Sequence, residues 1–374
     1  MARRCRVNPL FSVIVNAYNI GEFIDEALNS LQSQSFTNFE IVLVDDGSTD
    51  DTSAKLEEFA CRHQRVLLLN KGHHGLLLAR RLGLAHARGS YILFLDGDDW
   101  LHPRALERCA SVIEQTNADI VAYRYSRDES LSQAEGPFGV SPGLYFSKNY
   151  QEARRLLCQG RMVSIWGKAI RRSCIDIDAD YSSYIGLTQA EDFFQVLPIF
   201  DAACSFVLIP DVLHFYRRNQ NSVTSHFRFG MIRDIETVGR RLRTYAALWG
   251  DACRESSLVG EASLYLYVLE IAFSGEDRHQ ALKAFSLMRS TMMRNGALER
   301  MRGVPLPLKC RPIRFYLLHD CPRALSLFYG FLRCFKQQLS WISQHMRVLF
   351  PSIIDGDVSS ERPNGQRSGA RSAD

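Results

Sequence analysis

Asp96-Gly97-Asp98 sets two carboxylates two residues apart around a glycine, with Asp99 directly after them. Carboxylate oxygens are hard ligands, suited to Mg2+ or Mn2+. A cation held with open positions also grips a diphosphate and neutralises its charge on departure. Gly97 gives the backbone a sharp turn with no Cβ in the way. The same residues suit an ordinary turn, since Asp and Gly are common there. They do not make an EF-hand loop, which needs further acids and a glycine at fixed later positions. A second acidic pair, Glu191-Asp192, follows a polar loop and precedes the largely apolar residues 193–197. A carboxylate there can take the proton of an attacking hydroxyl. Thr188-Gln189-Ala190-Glu191 also matches a capping box with Glu191 at the third helical position. Asp192 is therefore the base candidate, and Glu191 has a helix-start role.

The elements that must position these residues alternate in type. Residues 11–15 are an unbroken apolar run, read as a first strand, and Ile24, Ala27, Leu28 and Leu31 then recur at helical spacing. Residues 41–44, 66–69 and 91–95 read as three more strands, with helices over 52–60 and 76–87 between them. Pro103 suits the first turn of a helix with Leu106, Ala110 and Ile113 on one face, and a strand over 120–123 closes the series. Apolar strands alternating with amphipathic helices indicate a parallel sheet covered on both faces. In such sheets ligands bind beyond the carboxyl ends of the strands. The residues there are Asn16-Ala17-Tyr18-Asn19, Asp45-Asp46-Gly47-Ser48, Asn70-Lys71-Gly72 and Asp96-Gly97-Asp98-Asp99. Residues 127–149 are turn-rich and read as a loop or short hairpin. Strands are expected over 166–170, 206–209 and 212–216, and a helical pattern from Arg228 to Phe350.

Taken together, the segments SVIVNAYNIGEFIDEALNSLQSQSFTNFEIVLVDDGSTDDT (12–52) and GLLLARRLGLAHARGSYILFLDGDDWLHP (75–103) resemble the two signature blocks of glycosyltransferase family 2. The similarity runs from Ser12 to Ser222 and is strongest in the first half. The resemblance implies a GT-A fold: an α/β, Rossmann-like, mostly parallel sheet covered by helices, here followed by a helical C-terminal region. It also implies a nucleotide-sugar donor, a divalent metal (Mn2+ or Mg2+) and inversion at the anomeric carbon. Transferred residue by residue, it puts Tyr18 and Asn16 beside the donor's base and has Asp46 accept a hydrogen bond from a base N–H. Asp96 would lie near the ribose and diphosphate, and Asp98 would be the direct metal ligand. Arg80 would meet the nucleotide or its phosphates. Asp192 would be the catalytic base, with Glu191 and Trp166 positioning the acceptor. Four of these have a plainer alternative: Tyr18 and Trp166 as packed aromatics, Asp46 as the cap of the following turn, Arg80 on a solvated helix face. His214, Arg217 or Arg218 are further candidates for the diphosphate or metal. The chain departs from the family pattern at Asn16-Ala17 and at Arg81, which stands where Asn is usual.

These readings give a catalytic region over 8–225, with a donor half over 8–126 and an acceptor half over 127–225. A helical region over 226–352 and a disordered tail over 353–374 follow. The expected activity is sugar transfer to a glycan or lipid-linked acceptor in cell-surface polysaccharide synthesis. The alternatives are a nucleotidyltransferase and a non-catalytic nucleotide-sugar-binding subunit of a membrane assembly. Phosphate-binding loops of the Walker or GxGxxG type are absent, as is a QxxRW segment. Of 374 residues, 46% are hydrophobic and 23% charged, and the net charge of +4 argues against a nucleic-acid partner. Ten scattered cysteines with no CxxC pair suit a reducing cytoplasm. The basic N-terminus lacks a signal-peptide pattern, and no run approaches the roughly 18 apolar residues that cross a bilayer. Phe328, Phe331, Leu332, Phe335, Leu339, Ile342, Met346 and Leu349 trace an amphipathic helix with a basic polar side. It suits packing or homodimerisation, or peripheral contact with the inner face of the membrane.

Overall fold

The computed structural model describes residues 8–70, 72–137, 139–218, 226–306 and 310–332. Its first half is a βα series: β1 (Phe11–Ala17), α1 (Ile24–Gln32), β2 (Phe39–Asp45), α2 (Thr52–Arg62), β3 (Val66–Asn70), α3 (Leu76–His86) and β4 (Tyr91–Asp96). The short β5 (Trp100–Leu101), α4 (Ala105–Thr116) and β6 (Ile120–Ser126) complete it. The strands lie in parallel in the order β3-β2-β1-β4. All four ends that carry polar clusters therefore open on the same edge.

Period-two alternation divides each central strand between two cores. Val13 and Val15 of β1 and Leu93 and Leu95 of β4 face α1, α2 and α4. Ile14 of β1, Val42 and Val44 of β2, and Ile92 and Phe94 of β4 face α3. Burial on both faces is why these strands are apolar throughout. Continuing the alternation past the core puts Asn16, Asp46 and Asp96 on the α3 side.

The second half departs from a simple parallel series. β7 (Gly143–Phe146), α5 (Tyr150–Cys158), β8 (Lys168–Arg171), α6 (Glu191–Ala202) and β9 (Ser205–Phe215) follow in the chain. β8 enters antiparallel between β4 and β6, and β9 runs parallel to β6. Among the described residues the sheet has nine strands, six of them in one direction and β5, β7 and β8 opposed. The turn-rich segment holds an antiparallel edge strand, β7, paired with β9, and a bridge from Tyr125 to Glu135. The two strands expected over 206–209 and 212–216 are one strand, β9, with register shifts against β6 near Arg124.

The helical region comprises α7 (Gly230–Trp249), α8 (Asp251–Ser274), α9 (Arg278–Arg294), α10 (Ala297–Arg300) and α11 (Arg311–Leu318), then a helix over 322–332. Contrary to the expectation of no spanning run, α8 is long and apolar enough to cross a bilayer. Most of it is buried, however, and packs against α5, α7 and α9. It also carries the buried Glu261, which pairs with Arg243 and with Arg300 at 2.9 Å. Those features are those of a core helix. Of the expected amphipathic helix, Phe328 packs on the helical core and Phe331 is exposed. Its continuation past 332 and the tail lie outside the described residues.

Candidate functional site

α3 carries a buried stripe, Leu77, Arg80 and Leu84, at positions i, i+3 and i+7. Arg80 is thus on the core face and is 1% exposed. That burial excludes the alternative of a solvated helix face, and carboxylates occupy the guanidinium. Its Nη2 donates to Asp96 Oδ1 at 3.1 Å, and its Nη1 donates to Asp192 Oδ1. Glu191 Oε1 lies 3.7 Å from the same Nη1. Burial pulls the guanidinium pKa down, but the carboxylates of Asp192, Asp96 and Glu191 outweigh it and hold it above its ordinary value. Burial first, and Asp192 next, push the Glu191 carboxyl well up. Burial likewise raises Asp96 against the opposing pull of Arg80.

Asp192 and Glu191 open α6, and the capping box does not form. Ala190 is the N-cap in a left-handed conformation (φ 59°), Glu191 is the first helical residue, and no side chain caps the helix. Thr188 is occupied elsewhere, since its amide and that of Gln189 donate to Asp234 at 3.1 Å. The second oxygen of Asp192 accepts the Ile165 amide at 3.1 Å. The carboxylate is therefore fixed from α3 on one side and from the segment before β8 on the other.

On the donor side Tyr18 is 40% exposed, so it is not a buried aromatic. Its ring stacks on His73 at 4.1 Å, and His73 Nδ1 meets Asp46 Oδ2 at 2.9 Å. Asp46 is buried, and its two oxygens accept the amides of His74 and Gly75, each at 2.9 Å. Its visible work is to cap the loop before α3, while the turn that follows β2 is capped by Asp45, whose Oδ1 accepts from Ser48 N at 2.9 Å. Asn16 is 5% exposed, and neither end of its side-chain amide has a hydrogen-bond partner among the described residues. It pairs in register with Asp96, so an unfilled donor and acceptor stand beside that carboxylate.

Asp96 and Asp98 are partly exposed at the end of β4, whereas Asp99 is 1% exposed. Asp99 does more than shape the turn. It accepts from Arg217 N at 2.8 Å and meets His214 Nε2 at 2.8 Å, tying the turn to β9. Burial drives the Asp99 carboxyl well up and the His214 imidazole down to about 4, so the enclosed pair avoids separate charges. Arg217 pairs with Glu26 at 2.5 Å, and its Nε donates to Asp98 O at 3.0 Å. Arg81, the departure from the family pattern, donates to the carbonyls of Ile177 (2.6 Å) and Ala179 (3.2 Å). Trp166 precedes β8 and is half-buried, stacked on His214 at 4.8 Å and Tyr216 at 5.1 Å.

Among the described residues no group of three or more His, Cys, Asp or Glu is arranged to hold an ion. Two partly exposed carboxylates are a sufficient protein share for Mg2+ or Mn2+, which complete their shells with water and substrate phosphates. The donor set at Asp96 and Asp98 fits such an ion. Sequence reasoning missed His73, Asp99 as a buried tie, and the buried Lys168. Asp96, Arg80, Glu191 and Asp192, four of the residues singled out in the sequence, meet in one cluster.

The glycosyl transferase family 2 model matches residues 12–175. The uncharacterized glycosyltransferase EpsJ of Bacillus subtilis is 31% identical over 218 residues, 58% of this chain and 63% of that protein. The chain thus matches less than two thirds of that relative's length. Among solved structures, S. aureus TarS 1–349 in complex with UDP-GlcNAc aligns with a TM-score of 0.55 at 19% identity, covering 86% of this chain and 91% of that one. The mannosyltransferase PcManGT of Pyrobaculum calidifontis, in complex with GDP-Man and Mn2+, aligns with a TM-score of 0.50 at 17% identity, over 86% and 87% of the two chains. At these identities the structures speak for the shared fold, and residues 12–175 are similar in sequence to the glycosyl transferase family 2 domain.

Proposed function

We propose that the protein is a metal-dependent, inverting glycosyltransferase that moves a sugar from a nucleotide-sugar to a hydroxyl of a glycan or lipid-linked acceptor, in cell-surface polysaccharide synthesis. The observation that carries this reading is the meeting of Asp96 and Asp192 at one guanidinium, that of Arg80. A donor-side carboxylate and an acceptor-side carboxylate are thereby held at a short, fixed separation, as a single displacement requires. Asp192 accepts the proton of the acceptor hydroxyl. The acceptor oxygen bonds to the anomeric carbon, and the bond from that carbon to the diphosphate oxygen breaks on the opposite face. The nucleoside diphosphate leaves with the electron pair.

Asp98, with Asp96 beside it, would hold a divalent ion, which when bound supplies charge neutralisation to the diphosphate. Tyr18, with one neighbour in His73, offers an aromatic surface for the base, and the unfilled amide of Asn16 offers it a donor and an acceptor. Asp46 acts through the loop it caps. Arg80 acts by holding the two carboxylates and does not itself contact phosphate. Trp166 and Glu191 border the acceptor side. The catalytic region spans about 8–225 and the helical region supports it. The setting is cytoplasmic or peripheral on the inner membrane face.

A thermal-shift panel of UDP-GlcNAc, UDP-glucose, UDP-galactose and GDP-mannose, each with Mn2+, Mg2+ or chelator, tests the donor side, since a ligand of the folded state raises its stability. At least one sugar nucleotide should raise Tm only with metal, and Asp98→Ala should abolish that rise. Asp192→Asn should keep the rise and retain only a small, measurable residue of turnover. A chain stabilised by none of these donors, or an Asp192→Asn variant with wild-type turnover, would sink the reading.

A further inference from the structure

Lys168 is a charged side chain that the mechanism above leaves unused, yet it is 3% exposed at the start of β8. Burying an ammonium is costly unless hydrogen bonds and a counter-charge compensate. Here its Nζ donates to Ser164 O at 2.5 Å and to Ser164 Oγ at 3.2 Å, with Trp166 O at 3.5 Å. The chain turns back through Gly167, whose φ of +69° is a conformation that favours glycine. One ammonium thus gathers the polar atoms on either side of Ile165. The Ile165 amide is left pointing outward from this fold, and it donates to Asp192 Oδ2 at 3.1 Å.

We infer that Lys168 is a positioning residue for Asp192: it folds residues 164–166 so that the Ile165 amide fixes the carboxylate oxygen not held by Arg80. The inference rests on the reading of Asp192 as base. Two independent anchors on one carboxylate define its plane, where one alone would leave it free to rotate. Burial lowers the Lys168 ammonium to about 8, with Asp192 the group that opposes the fall, so the two residues also sense one another electrostatically. The other charged groups facing Asp192 are Arg80 on α3, Asp96 on β4 and Glu191 on its own helix. Lys168 is the member of this set that touches neither donor-side nor acceptor-side carboxylate.

The experiment uses the full chain, Mn2+ and whichever sugar nucleotide of the panel the wild type turns over, with water or acceptor as nucleophile. Lys168→Met keeps the aliphatic stem and removes the ammonium. Its donor KM and metal-dependent Tm rise should match the wild type, while kcat falls on the order of 100-fold, the scale of an ångström-sized misplacement. Introduced into Asp192→Asn, the same change should lower kcat no further, because the carboxylate it orients is already disabled. Ser164→Ala removes one partner of the ammonium and should lower kcat in the same direction by a smaller factor. That variant carries the test if Lys168→Met fails to fold. Wild-type kcat in a folded Lys168→Met, or in Ser164→Ala should that be the variant tested, overturns the inference alone. A further loss on top of Asp192→Asn also overturns it, marking a general structural role. A wild type that turns over no sugar nucleotide overturns the parent reading along with it.

Discussion

Arg80 and Asp192, 112 residues apart in sequence, are joined by a hydrogen-bonded ion pair inside the protein. The same guanidinium holds Asp96 and lies near Glu191, so a single cation serves three carboxylates. Arg80→Met would leave those carboxylates facing one another without the cation that joins them. Breaking a buried pair from one side costs about 3–5 kcal/mol, chiefly through the charge left behind. Urea denaturation should therefore show a marked fall in midpoint for Arg80→Met. Adding Asp192→Asn should recover part of the loss by removing one stranded charge. An Arg80→Met variant as stable as the wild type would show that the cluster is not held in this way.

The parallel half of the fold was legible because its causes are local. Unbroken runs such as Leu93-Phe94-Leu95 declare a strand buried on both faces, and the clusters at their ends fall on one edge by the rule for parallel sheets. The buried position of Arg80 was also legible in principle, from Leu77 and Leu84 three before and four after it. Other features have no local signature. The insertion of β8 between β4 and β6 is a matter of strand order, which no run of residues encodes. The bond from Asp99 to His214 spans 115 residues. Thr188 failed as a cap because Asp234, on α7, competes for its backbone and hydroxyl.

Packing of α3 on the sheet sets where Arg80 sits, and Gly83 sets the packing. A Cβ at Gly83 would lie 2.5 Å from Ile14 Cγ2 and 3.2 Å from Val44 Cγ2. Both neighbours are β-branched side chains in the core, with little room to give. Gly83→Ala should therefore lift α3 and cost about 1–3 kcal/mol, the usual range for overpacking. Because Arg80 lies on that helix, turnover should fall more than donor affinity does. Steady-state kinetics beside a melting curve checks both, and a fall in stability with unchanged kcat would separate α3 packing from the site.

Asp99 ties the carboxylate turn to β9, so its loss should be felt at the metal. Asp99→Ala strands His214 Nε2 and the Arg217 amide in a buried space. Each unsatisfied group costs about 1–3 kcal/mol. The Mn2+-dependent Tm rise with a nucleotide should shrink along with the baseline Tm, since Asp98 is the residue next to the lost anchor. An undiminished metal-dependent rise in a destabilised Asp99→Ala would mean the turn keeps its shape without that tie.

Lys168 gives the stability a pH dependence of predictable sign. Its ammonium titrates at about 8 when folded, against 10.5 as the ordinary value. Between those values the unfolded chain binds the proton and the folded chain does not, so unfolding takes up protons and stability rises with pH. At roughly 1.4 kcal/mol for each pH unit separating the two values, the whole window is worth about 3 kcal/mol. Tyrosines and cysteines titrate in the same range, so the measurement is a difference: urea midpoints at pH 8, 9 and 10 for wild type and Lys168→Met. The wild type should gain on the variant as pH rises, because only in the wild type does a buried ammonium lose its charge. A constant gap between the two would mean that Lys168 keeps its proton in the folded protein, and that its contacts with Ser164 offset burial more fully than the lowered value implies.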